Sequence, residues 1–198
     1  KKFNGRFLGV YHAYPNAGYE QGPAVIGLCW STDLRKWQLD PPILRAEDGA
    51  EWERGGLYKP CLVHENDTFY LFYNAKTAEK SWHEQTGVAT SRDLKTWTRF
   101  PGSPLLRNGP AVSPDEKFAS DPCVLKYGKQ WAMFYFGLDR KGVARDLLAI
   151  GPDLLHFEKC DGVSIDVGAP GAIDERYAHK PSIVTHRGVL YHFYCAVA

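Results

Sequence analysis

Three short segments carry most of the side chains that could do chemistry: Tyr58-Lys59-Pro60, Ser120-Asp121-Pro122 and His179-Lys180-Pro181. Each sets polar groups immediately before a proline, which removes one backbone donor and biases its neighbour toward extended structure. The carboxylate of Asp121 and the imidazole of His179 are of the kinds that move protons at neutral pH. Lys59 and Lys180 would bring two positive charges together, which is costly unless carboxylates or an anion lie between them. Salt bridges to Asp121, Glu53 or Glu175, recognition of an anionic ligand group, and phosphate binding all satisfy that requirement. Two further segments put an acid next to an arginine: Glu51-Trp52-Glu53-Arg54 and Asp174-Glu175-Arg176. In these, Glu53 and Glu175 are candidate acids or members of surface ion pairs. Trp82-His83-Glu84-Gln85 is a third polar and aromatic cluster, and Asn74 stands at the start of the segment leading to it.

The elements that position these residues follow from a repeat. Asp33-Leu34-Arg35-Lys36-Trp37, Asp93-Leu94-Lys95-Thr96-Trp97 and Asp153-Leu154-Leu155-His156-Phe157 follow one another at intervals of 60 residues. A second marker runs out of phase with it. Tyr73, Tyr135 and Tyr194, each preceded by a phenylalanine, stand 13 residues after Pro60, Pro122 and Pro181. Such self-similarity reads as a repeat architecture. Within one unit, 60–63, 68–74, 86–90 and 96–100 are short runs rich in β-branched and aromatic residues, with the turn Glu65-Asn66-Asp67 between the first two. They predict four short strands. No stretch holds a helical apolar stripe for three turns. Four strands per repeat is how a propeller blade reads. The predicted blades are 6–42, lacking its first strand, then 58–100, 120–160 and the two strands of 179–198. That amounts to about three blades' worth of chain in a single domain over 1–198, and a ring left open would have to close by further chain or by self-association.

The Ser-x-Asp-Leu-x-x-Trp element at Ser31 to Trp37 and Ser91 to Trp97, with Asp121-Pro122 and Gly87-Val88-Ala89-Thr90-Ser91, resembles the five-bladed β-propeller glycosidases. These are glycoside hydrolase family 43 and its relatives in families 32, 117 and 130. The element itself reads as structural: the aspartate bonds local N–H groups in a tight turn and the tryptophan packs between blades. The resemblance implies an all-β, five-bladed propeller that acts on a carbohydrate, as an inverting, exo-acting glycoside hydrolase. A family 130 type of glycoside phosphorylase and a non-catalytic sugar-binding propeller are the alternatives.

The resemblance also directs attention to the innermost strand of each blade, whose first residues face the axis. On it, Asp121 matches the aspartate that tunes the acid, and the strand that would carry the base lies upstream of Lys1. His179-Lys180-Pro181 stands where Glu-Gly-Pro is expected, so His179, its pKa raised by a nearby carboxylate, would be the proton donor, with Glu175 as the alternative. Family 117 is a precedent for a histidine acid. Lys59, Lys180, Glu84 and Asn74 would bind substrate, and Trp52 and Trp82 would stack on the apolar face of a sugar.

Composition narrows the field. Lys plus Arg (24) nearly cancels Asp plus Glu (23), which leaves no broad basic face for nucleic acid. No apolar run reaches the length of a membrane helix. The five cysteines are scattered without zinc spacing and most read as buried free thiols, which points to a reducing, cytoplasmic compartment. No nucleotide or zinc motif is present, so no cofactor is expected, apart from a structural or axial metal ion that the superfamily allows.

Overall fold

A computed structural model describes residues 2–18, 21–79 and 81–198. The chain is almost entirely β. Its first sheet runs in the order β1 (Lys2–Phe3), β2 (Arg6–Ala13), β3 (Val25–Ser31), β4 (Gln38–Leu44). A second antiparallel unit holds β5 (Gly56–Glu65), β6 (Thr68–Lys76), β7 (Glu84–Ser91) and β8 (Thr98–Arg99). The third repeats it with β9 (Phe118–Tyr127), β10 (Gln130–Leu138), β11 (Ala144–Gly151) and β12 (Glu158–Lys159). The last unit is the hairpin β13 (Tyr177–His186) and β14 (Val189–Val197). Two three-residue 3₁₀ turns, Ala46–Asp48 and Glu51–Glu53, lie between the first two units.

Successive units meet through single parallel pairings, Glu84 with Phe118 and Ala144 with Tyr177. This is the arrangement of consecutive propeller blades, the third strand of each lying beside the innermost strand of the next while the chain returns through the short fourth strand. The chain therefore contributes about three blades' worth of a β-propeller.

Core and rim follow from the sequence pattern. Phe72, Val88, Met133, Leu147 and Ala149 are buried between the second and third blades, and Ile26, Leu57, Leu71 and Tyr73 between the first and second. Removing a side chain such as Phe72 from water contributes about 1.5–3 kcal/mol, and its truncation to alanine would cost about 3–5 kcal/mol. The blades are also joined by sulfur: Val124 N donates to Cys61 Sγ at 3.4 Å and Ile183 N to Cys123 Sγ at 3.3 Å. All five cysteines are free thiols, but none is fully buried as the sequence suggested: Cys29, Cys61, Cys123 and Cys160 are half-buried and Cys195 is exposed.

The repeated aspartate turns are built as the sequence pattern suggests. Asp33 Oδ1 accepts from the N–H groups of Arg35 and Lys36, and Ser31 Oγ accepts from Leu34 N at 2.9 Å. Asp93 and Ser91 repeat each bond around Leu94, and both leucines take φ of +63°. Those backbone bonds hold the Asp93 carboxyl down at about 2. Trp97 packs into the cores between the first two blades, whereas Trp37, whose outer side no described blade covers, is 39% exposed.

Candidate active site

The inner strands explain how the polar residues are aimed. Lys59, Asp121 and Lys180 precede Pro60, Pro122 and Pro181 and take φ of +46°, +49° and +63°. Left-handed backbone is uncommon for such residues. At each of the three places the ladder to the neighbouring strand slips: between Tyr58 and Cys61, opposite Asp121 between Phe134 and Phe136, and between His179 and Ser182. A proline has no N–H to give the ladder, so the chain bulges there, and a bulge re-aims its side chain.

The result is a cavity of about 300 Å³ into which Lys59, Asp121, Lys180, His179, Asn74, Trp82 and Glu84 all face. Tyr14, Tyr58, Phe118 and Phe136 supply its aromatic walls. Beneath it a second cavity is lined by the same Lys59, Asp121 and Lys180 with their three prolines, Val10 and His12.

Glu84 is held firmly in this site. Asn74 Nδ2 donates to its Oε2 at 2.6 Å and Trp82 Nε1 to its Oε1 at 2.7 Å, so both carboxylate oxygens accept N–H bonds. The tryptophan is in turn covered by Lys76, whose Nζ lies 3.7 Å from the ring centroid.

His179 is 7% exposed and packs edge-on against Phe136 and Tyr177, at 4.9 and 5.3 Å between ring centres. Its Nδ1 lies 3.1 Å from the carbonyl oxygen of Cys195, which can only accept, so Nδ1 carries the proton and Nε2 a lone pair. Burial pushes the imidazole pKa down, and the charges of Lys180 and Lys59 push it further. This is the opposite of the raised pKa expected for His179 as a proton donor, because the charges acting on its ring are those of the two lysines and not of a carboxylate. A neutral imidazole in this tautomer is an acceptor at Nε2.

Three of the sequence candidates fall outside the cavity. Glu53 is buried at 1% exposure, and its carboxylate accepts from Tyr73 Oη at 2.6 Å, Arg99 Nε at 3.1 Å and Ala50 N at 2.8 Å. Trp52 stacks on Tyr73, with ring centres 6.3 Å apart, and packs against the core. Glu175 is exposed, and its carboxylate accepts from Gly171 N.

The reason is a structural device that repeats with the blades. Seven residues before each proline stands a carboxylate, Glu53, Asp115 or Asp174. It accepts from Tyr73, Tyr135 or Tyr194 respectively, the last two at 3.1 and 2.8 Å. Arg99 of β8 serves Glu53, and Lys159 of β12 serves Asp115. The acid-next-to-arginine segments and the second marker are thus parts of one scaffold.

Asp146 of β11 is a residue that the sequence pattern did not single out. It is fully buried and shares a hydrogen bond with His192 Nε2 at 2.9 Å, while its Oδ1 has no hydrogen-bond partner among the described residues. Burial, and then the Asp121 carboxylate nearby, raise its pKa to about 8. Burial also lowers that of His192, so the two form a neutral pair. The aspartate directly before the apolar run 147–150 was the available signal. The aromatic walls gave none, because such residues are spread evenly through the strands. Among the described residues no three His, Cys, Asp or Glu side chains converge as a metal-ligand set, and no helix is long and apolar enough to cross a membrane.

Comparison with known proteins agrees with this architecture. Residues 2–163 match the model of the glycosyl hydrolases family 32 N-terminal domain. A structure described as a glycoside hydrolase is 31% identical, with a TM-score of 0.86 over 100% of this chain and 60% of its own. A structure of a BT0996 RGII complex is also 31% identical, with a TM-score of 0.85 over the same shares. The family 32 β-fructofuranosidase BmSUC1 of Bombyx mori is 21% identical, with a TM-score of 0.74 over 98% of this chain and 39% of its own, and supports the fold alone. No curated protein matches in sequence. The chain spans about 60% of the length of the first two of these structures. With a matching domain model over most of its residues and the propeller geometry described above, the chain belongs to glycosyl hydrolase family 32, within the five-bladed propeller glycosidases.

Proposed function

We propose that the axial cavity cleaves a terminal glycosidic bond, as an inverting, exo-acting glycoside hydrolase. The observation that carries this reading is the convergence of Asp121 and Glu84 in one cavity walled by aromatic rings. Inversion needs one group to protonate the leaving oxygen and a carboxylate to activate water on the opposite face of the sugar. Glu84, with N–H donors on both oxygens, is suited to the ionised role, since such bonds favour the charged form. Asp121 is then the group that manages the leaving oxygen's proton. His179 would accept a substrate hydroxyl at Nε2. Trp82, exposed at 44% and fixed through its indole N–H, offers a face to the apolar side of a sugar ring. Likeness over the whole chain to a structure described as a glycoside hydrolase, at 31% identity, supports a carbohydrate ligand.

The test is to assay the full-length protein on a panel of aryl glycosides, with and without phosphate, and to follow the anomer released first by NMR. Asp121→Asn and Glu84→Gln are each expected to lower kcat by roughly 10²–10⁴-fold, the usual contribution of a positioned acid or base. Unchanged rates in both would remove the assignment, a first product of retained configuration would replace inversion, and turnover only with phosphate would make the enzyme a phosphorylase.

A further inference from the structure

The bond-cleaving reading leaves Lys59 and Lys180 without a task. They occupy equivalent positions in β5 and β13, each in left-handed backbone directly before a proline. Both line the candidate site, and both line the cavity beneath it. Salt bridges to Asp121, Glu53 or Glu175 were the simplest expectation for them, yet Glu53 and Glu175 are engaged elsewhere, and Asp121 shares both cavities with the two lysines. Glu53 serves Tyr73 and Arg99, and Glu175 serves Gly171. Among the described residues neither lysine has an acidic oxygen within 4.0 Å. Their charge is nonetheless felt inside the cavity, because both depress the pKa of His179.

Two ammonium groups facing one partly enclosed space are unfavourable unless something negative enters between them. We propose that the ligand supplies that charge as a carboxylate, so that the substrate is an acidic sugar whose carboxylate sits between Lys59 and Lys180. The inference rests on the carbohydrate reading above and names its substrate class. Charge balance favours a monoanion. With Glu84 ionised and Asp121 carrying the proton, as in the reading above, the two ammonium groups leave one positive charge over, which a carboxylate balances and a dianionic phosphate exceeds. The two ammonium groups give each carboxylate oxygen its own charged donor. His179 cannot share that duty, because its only N–H is spent on the Cys195 carbonyl. Its free Nε2 instead suits a hydroxyl of the same ring.

The experiment is calorimetric titration of the full-length protein with glucuronate and galacturonate, with their methyl esters, with glucose and galactose, and with inorganic phosphate. At least one acid should bind about tenfold or more tightly than its own ester, and the advantage should shrink in about 0.5 M salt. It should also collapse in Lys59→Gln and in Lys180→Gln. The salt series needs no variant, so it decides the matter even if a substitution unfolds the blade. Equal binding of acids, esters and neutral sugars, with turnover of neutral aryl glycosides, overturns the inference and leaves the glycosidase reading standing. Lysine-dependent binding of phosphate but of no acid overturns it in favour of phosphorolysis. An absence of both saccharide binding and turnover sinks both readings.

Discussion

The turns that follow β3 and β7 agree down to single hydrogen bonds: Ser31 and Asp33 in one, Ser91 and Asp93 in the other, each with a leucine at φ +63°. The inner edges of β5, β9 and β13 agree only in backbone. All three have a left-handed residue, a proline and a slipped ladder, but the side chains at the kink are lysine, aspartate and lysine. Where the blades need the same turn or seam, the same side chains recur, because the backbone N–H groups there depend on them. Where the side chains face a shared cavity the type is not held constant, because the middle blade presents a carboxylate between the two lysines of its neighbours. Repetition of residue type marks scaffold, and repetition of shape with change of type marks the site.

The sharpest way to break that comparison is to exchange the expected effects. Glu53→Ala removes the partner of Tyr73, Arg99 and Ala50 N in the scaffold and should cost about 3 kcal/mol in urea unfolding, with turnover per folded molecule preserved. Asp121→Asn should do the reverse, sparing stability while abolishing turnover. If Glu53→Ala folds normally and is inactive, scaffold and site have been confused.

The next effect is a pH dependence of stability centred on Asp146, buried between the third blade and β14. Asp146 has a folded-state pKa near 8, against 3.8 unfolded. Between those values the folded state holds a proton that the unfolded state has released. Stability from this group is therefore intact below about pH 4, falls as pH rises, and reaches its minimum above about 8. The histidines His179 and His192, with lowered pKa values, act in the opposite sense at acid pH. The measurement is the difference in unfolding free energy between the parent and Asp146→Asn, which should narrow steadily from pH 8 to pH 4. A flat difference would mean that the carboxyl is ionised in the folded protein. The smallest effect belongs to the rim: Ser91→Ala, which loses the bond from Leu94 N, should cost about 1 kcal/mol by the same unfolding measurement.

How much of this was legible in the residues alone divides along the same line. The 60-residue period and the turn-forming Ser-x-Asp announce the blades, because local hydrogen bonding ties those side chains to that geometry wherever they occur. Lys59, Asp121, His179, Lys180, Asn74, Trp82 and Glu84 could be assigned to one cavity because a propeller converts strand starts and blade-top loops into neighbours. Glu53, Trp52 and Glu175 could not be separated from them, since an acid beside an arginine looks the same whether it faces a cavity or a tyrosine from its own blade. The protonation of His179 was equally hidden: it depends on a carbonyl 16 residues away and on two lysines from different blades. Asp146 and His192 are 46 residues apart, and only the stacking of the third blade against β14 makes them a pair.

The kinked residue before each inner proline has one more consequence. Its direction is set by main-chain torsions and by a ring that cannot donate, so the framework is indifferent to what the side chain is. Charge at the axis can therefore be rewritten blade by blade, lysine for aspartate or the reverse, without renegotiating the hydrophobic interior, and related chains can turn to new ligands through single codons at these three positions.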